Sequence, residues 1–167
     1  LGDFQTPSVL VDLILNVLKL KKVDPKIIVE PTCGKGSILF AAHKAFNPSK
    51  SLGIEIQSMY TNKITQSLPE NISILNKDFF ASLPTIKEFV AENDKILFIG
   101  NPPWVTNSEL SVLESNNLPT KNNFDNIRGI EAITGKSNFD ISEYIIKLLI
   151  DNFSDKKSIF AFLCKIS

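Results

Sequence analysis

The sequence predicts an α/β fold built on a doubly wound, mainly parallel sheet, and two observations carry that prediction. Short runs of β-branched and apolar residues alternate with longer segments of helical period, the order expected when each strand is followed by a helix that crosses back over the sheet. Each run is also nearly continuous in apolar residues, as strands are when both of their faces are covered. The runs are Ile27 to Glu30, Leu52 to Ile56, Ile72 to Leu75, Ile96 to Gly100 and Ser158 to Cys164.

Thr6 is placed to cap a first helix, with Pro7 at its opening position, where a missing N–H is harmless. Its apolar stripe is read as Leu10, Leu13, Ile14, Val17 and Leu18. Lys19, Lys21 and Lys22 close the helix as a solvated, dipole-complementing end rather than a patch for a polyanion. Asp140 and Glu143 have capping-box spacing ahead of an apolar helix of Ile145, Ile146, Leu148 and Leu149. Between Asn101 and Asp140 lie about forty residues of little periodicity, against a median loop of ~4–6, and loops of such length in a compact domain are usually functional or mobile.

A chain of 167 residues suits one domain, 1–167, and neither an internal repeat nor a low-complexity linker divides it. No apolar run approaches the ~20 residues of a membrane helix and the N-terminus lacks a secretory pattern, so a soluble, cytoplasmic protein without a membrane partner is expected. Cys33 and Cys164 stand far apart with no Cys/His cluster beside either, which supports neither a disulfide framework nor a metal site. His43, within the helix after the glycine turn, reads as a packing or surface histidine. The 18 Lys and Arg balance the 18 Asp and Glu, so there is no global charge signature of a nucleic-acid binder. The chain begins at Leu1 and stops at Ser167 just after an apolar run, and is read as a fragment truncated after its fifth strand.

Chemistry concentrates where strands end. The segment Val29-Glu30-Pro31-Thr32-Cys33-Gly34-Lys35-Gly36 is a strand finishing in a carboxylate, followed by a glycine turn that opens a helix. In open α/β sheets ligands bind at the carboxyl ends of strands, and glycine lets a ligand approach the backbone closely. Alone, the turn is as readily structural. Glu55 then ends the second run, and Asp78 follows the third in Asn76-Lys77-Asp78-Phe79-Phe80. A carboxylate roughly 20 residues beyond a glycine turn can accept from both hydroxyls of a ribose, and a further carboxylate and a phenyl face suit an adenine. Each residue alone is a solvated carboxylate or a core phenylalanine; at three successive strand ends they favour a bound adenosine.

The most specific element is Ile99-Gly100-Asn101-Pro102-Pro103-Trp104. Two prolines stiffen the backbone and remove two N–H donors, so the turn offers carbonyl acceptors in a rigid frame. Asn101 adds a side-chain carbonyl and Trp104 a broad ring face. Such a site can hold a planar base and accept both hydrogens of its exocyclic amine.

Taken in order, Asp3-Phe4-Gln5-Thr6-Pro7, Glu30 to Gly36, Gly53-Ile54-Glu55-Ile56, Asp78-Phe79-Phe80 and Asn101-Pro102-Pro103-Trp104 resemble the motifs of amino-group DNA methyltransferases of the N6-adenine, restriction-modification type. The likeness covers nearly the whole chain. It implies a class I, Rossmann-like S-adenosylmethionine-dependent methyltransferase fold, with a target recognition domain that comes last and is absent here. Thr6, Pro7, Glu30, Pro31, Gly34 and Gly36 would then line the methionine end of S-adenosylmethionine. Glu55 and Ile56 would hold the ribose, and Asp78 and Phe79 the adenine. Asn101, Pro102, Pro103 and Trp104 would form the catalytic pocket, Asn101 also touching the cofactor. Trp104, Asn138 and Phe139 would contact the flipped base. The implied partner is DNA, gripped mainly by the missing domain, with neither metal nor membrane involved. Glu30 and Trp104 depart from the commoner aspartate and tyrosine or phenylalanine without disabling the chemistry.

Other readings share this geometry: a methyltransferase acting on the cytosine amino group or a protein glutamine, or a cofactor-binding module without catalysis. The Phe4-x-Thr6-Pro7 element and Asn138-Phe139-Asp140 favour DNA adenine. Gly129 to Ser137 imitates a phosphate loop, but five residues separate its glycines and no strand precedes it.

Overall fold

The computed structural model describes residues 5–91, 95–104 and 141–164. Within them five strands form one all-parallel sheet: β1 (Ile27–Glu30), β2 (Lys50–Glu55), β3 (Ile72–Asn76), β4 (Ile96–Gly100) and β5 (Ser158–Phe162), in the order β3-β2-β1-β4-β5. The helices are α1 (Ser8–Leu20), α2 (Ser37–Phe46), α3 (Ser58–Ile64), α4 (Phe79–Phe89) and α5 (Ile141–Phe153), with a 3₁₀ turn at Thr65–Ser67. The expected runs hold to within two residues at each end. β2 starts at Lys50 and β5 stops at Phe162.

Side-chain alternation explains why the runs are continuously apolar. Ile27, Val29, Ile96 and Phe98 face a core shared with α4 and α5, whereas Ile28, Leu97 and Ile99 face a second core shared with α1 and α2. Both faces are therefore covered, and β1 and β4 are buried along their whole length. Phe98 carries the centre of the first core, its ring 4.9 Å from that of Phe153 and 5.3 Å from that of Phe160.

Two expectations for α1 need correction. Thr6 does not cap it; Pro7 stands before the helix at φ −58 and ψ 143 and contributes its carbonyl, which accepts from Leu10 at 3.0 Å and Val11 at 3.2 Å. The Thr6 hydroxyl is engaged elsewhere, with Asn101. The buried residues are Val11, Leu15 and Leu18, while Leu10, Leu13 and Val17 stay exposed. α1 is apolar around most of its circumference, so periodicity alone cannot orient it. Asp140, and with it the expected capping box, lies outside the described residues.

The strand order reverses direction between β1 and β4: the chain steps from β1 outward through β2 and β3, then returns to β4 on the other side. The turns after β1 and β4 diverge there and leave a cleft at the carboxyl edge. No helix among the described residues is long and apolar enough to cross a membrane.

Candidate active site at the sheet switch point

Residues 31–36 leave β1 in a tight turn. The Cys33 N–H donates to the Ile54 carbonyl at 2.8 Å, and the Gly36 N–H donates to the Cys33 carbonyl at 2.7 Å. Gly34 and Gly36 sit at φ +53 and +80, a region in which a side chain is strained. A Cβ on Gly36 would also stand 2.5 Å from Phe40 Cε2, so this glycine is needed for the entry into α2.

The strand-end carboxylates are held by main-chain donors. Leu39 N–H donates to Glu30 Oε2 at 2.8 Å. Gly34 N–H donates to Glu55 Oε2 at 2.9 Å, and Gln57 N–H donates to Glu55 Oε1 at 2.7 Å. An ionised carboxylate has about four acceptor positions, so two remain on Glu55 for further donors. Glu30 is only 2% exposed. Burial pushes its carboxyl well above the ordinary range, the Leu39 N–H opposes this, and the neighbouring Glu55 charge adds to it. Burial, then Glu30 and Glu55, likewise push the Cys33 thiol up, which keeps it protonated and unreactive.

On the β4 side Gly100 lies close to Glu30: a Cβ built on it would stand 3.5 Å from Glu30 Cγ. Asn101 is the next residue. Its Nδ2 donates to Thr6 Oγ1 at 3.3 Å, and Trp104 Nε1 donates to its Oδ1 at 3.1 Å. Pro102 is buried; Pro103 and Trp104 are half-buried.

One cavity joins these parts. Thr6, Glu30, Thr32, Gly34 and Asn101 line it together with Gln5, Cys33, Ser37 and Ile38. The glycine turn and the Asn-Pro-Pro turn therefore open into the same space. Within it the Thr32 hydroxyl oxygen is buried with no hydrogen-bond partner among the described residues, a group that a polar ligand would satisfy. Gln5 straps the turn: its amide lies over Gly34, and its Oε1 accepts from Lys35 N–H at 3.3 Å.

Other expected residues lie apart from this cavity. Pro7 is exposed at the start of α1 and Pro31 is buried in the turn. Ile56, 39% exposed at the end of β2, offers an apolar face beside Glu55. Asp78 caps α4, its Oδ1 accepting from Phe80 at 2.8 Å and Ala81 at 3.2 Å. Phe79, at 4% exposure, is packed into the α4/α5 core against Phe80, because the capped helix start turns it under the sheet. His43 is a packing residue, its Nδ1 2.8 Å from Ser51 Oγ. Asn138 and Phe139 lie outside the described residues. Gln5, Thr32 and Ser37 went unremarked as site residues in the sequence. For Gln5 and Thr6 no spacing rule exists, since their partners lie 30 and 95 residues away. Among the described residues no group of three His, Cys, Asp or Glu is placed to hold a metal.

A parallel sheet with a glycine turn and two carboxylates at its switch point defines a Rossmann-like α/β fold. Comparison with known proteins narrows this. The N-6 DNA methylase family model matches residues 1–151, and the chain belongs to that family. A type II methyltransferase from Nostoc sp., M.NspV, is 44% identical over 99% of this chain and 35% of its own length. The type II methyltransferase M.CvrRI of Paramecium bursaria Chlorella virus XZ-6E is 30% identical over 63% of this chain and 25% of its own. A solved modification subunit from Vibrio vulnificus YJ016 aligns with a TM-score of 0.48 and 16% identity, over 90% of this chain and 30% of that one. The chain thus spans about a third or less of the length of the curated relatives it matches.

Proposed function

We propose that this chain is the cofactor-binding and catalytic part of a site-specific DNA methyltransferase, which moves a methyl group from S-adenosylmethionine to the N6 amino group of a flipped-out adenine within a restriction-modification system. The observation that carries this reading is the shared cavity, with Asn101 on one wall and the Glu30–Gly34 turn on the other. Membership of the N-6 DNA methylase family and the type II relatives support the choice of adenine in DNA and the biological setting.

The residues present suit the cofactor. The Thr32 hydroxyl, without a partner among the described residues, and the buried Glu30 carboxyl fit the polar methionine end, with Gly36 fixing the turn, Gln5 lying over Gly34 and Thr6 on the cavity wall. Glu55 keeps acceptor positions for two ribose hydroxyls, Ile56 gives an apolar face, and Asp78 offers Oδ2 to the adenine end, whereas the Phe79 ring is buried in the core and takes no part. When bound, S-adenosylmethionine supplies an electrophilic sulfonium methyl group. DNA is gripped mainly by a recognition domain outside this chain.

The chain's own task is to make a poor nucleophile attack. The adenine amino lone pair is delocalised into the ring; acceptance of its two hydrogens by Asn101 Oδ1 and the Pro102 carbonyl localises that pair and stabilises the positive charge that grows in transfer. Pro103 stiffens the frame. Extruding the base from the duplex costs a few kcal/mol, and stacking on Trp104 returns ~1–3 kcal/mol. The full-length protein incubated with DNA and labelled cofactor, followed by digestion to nucleosides, should yield N6-methyladenine. Recovery of N4-methylcytosine or labelled protein instead would reassign the substrate, and unchanged transfer by both Asn101→Ala and Trp104→Ala would refute the site.

A further inference from the structure

We propose that Trp104 is a positioning residue as well as a stacking face: its indole N–H decides which end of the Asn101 amide meets the incoming amine. The inference rests on the amine-accepting role proposed for Asn101 and deepens it. A carboxamide has an oxygen and an NH₂ of nearly equal size, and a half-turn about its last side-chain bond exchanges acceptor for donor. With the NH₂ turned toward the base, Asn101 would oppose a donor with a donor and could not draw on the amine's hydrogens.

The two neighbours of Asn101 differ in their power to prevent this. Thr6 Oγ1, 3.3 Å from Asn101 Nδ2, is a hydroxyl that donates or accepts and so tolerates either orientation. Trp104 Nε1, 3.1 Å from Asn101 Oδ1, only donates, so only the oxygen can face it. The acceptor end is thereby turned to the side on which the indole ring lies. The carbonyl oxygen has two lone pairs, so accepting from the indole leaves one for the amine. A tyrosine or phenylalanine ring would stack on a base but carries no N–H at this place.

The test separates ring face from N–H in the full-length protein. Benzothienylalanine at position 104 keeps the bicyclic shape and replaces the N–H by sulfur; Trp104→Phe is the encoded counterpart. A net hydrogen-bond contribution of ordinary size predicts a kcat lower by roughly 2- to 10-fold, with KM for DNA close to that of the unmodified protein. In an Asn101→Ala background the same replacement should cause no further loss of kcat, since the indole would act through Asn101. Full kcat, a change confined to KM, or an equal loss in the Asn101→Ala background would each overturn the proposal. If Asn101→Ala itself leaves methyl transfer intact, the underlying reading of Asn101 fails and this inference falls with it. If Asn101→Ala is crippled while the sulfur analogue keeps full kcat, only the role of the indole N–H is refuted.

Discussion

The two turns that meet at the switch point are held by opposite means. After β1 the carboxylates of Glu30 and Glu55 are fixed by main-chain N–H groups of Leu39, Gly34 and Gln57. After β4 the Asn101 amide is fixed by two side chains, Thr6 and Trp104. Main-chain donors exist wherever the backbone takes that path, so among the donors only a substitution to proline removes one. Side-chain partners can each be deleted without disturbing the strand beneath. The glycine turn should therefore resist mutation of its surroundings and fail through its own carboxylates, whereas the Asn-Pro-Pro turn should be adjustable one contact at a time.

The largest effect tests the second turn. Asn101→Ala should lower kcat by roughly 10²–10³-fold, by analogy with removal of one preorganised stabilising group, while cofactor affinity measured by calorimetry changes little. A matching collapse of cofactor affinity would show that the two turns are not separable in this way. Trp104→Ala comes next: loss of ~1–3 kcal/mol of stacking should raise KM for DNA about 5- to 100-fold without weakening cofactor binding.

The first turn should break differently. Glu55→Ala removes the acceptor for Gly34 and Gln57 together with the proposed ribose contact. Hydrogen bonds to a charged group contribute ~1.5–3 kcal/mol, so cofactor affinity should fall about 10- to 100-fold and thermal stability should fall with it. A loss of kcat with affinity intact would contradict the division of labour between the turns.

The smallest effect concerns pH. Burial chiefly, opposed by the Leu39 N–H and reinforced by Glu55, holds the Glu30 carboxyl well above its ordinary 4.5. The folded state therefore binds this proton more tightly than the unfolded chain does. The stability it contributes is complete below about 4.5 and is lost as pH rises through the folded value. Glu30→Gln keeps an acceptor for Leu39 and removes the ionisation, so thermal denaturation across this range should show a flatter pH dependence. An unchanged slope would mean that Glu30 is not the group responsible.

Much of the glycine turn was legible in the sequence because its logic is local. An acidic strand end, a glycine pair and a second carboxylate at the next strand end are set by chain order and turn chemistry. The apolar runs around them marked β1 to β5 to within two residues. Less legible were features in which several faces compete. α1 carries apolar residues on most sides, so its periodicity points to a stripe of Leu10, Leu13, Ile14, Val17 and Leu18, whereas the sheet buries Val11, Leu15 and Leu18 and leaves Leu10, Leu13 and Val17 exposed. Phe79 follows a strand-end aspartate, as an adenine-facing ring would, yet Asp78 caps α4 and the ring enters the core.

By itself the sequence determined which segments become strands and which residues stand at their carboxyl ends. These follow from side-chain chemistry and short-range backbone preference. Only the tertiary structure decided that β1 and β4 are neighbours, that Asn101 therefore stands beside Glu30, and that Thr6 arrives from 95 residues away to take its amide hydrogen. Strand order and helix orientation are settled by burying two apolar faces at once, a condition on the whole chain that no local spacing expresses.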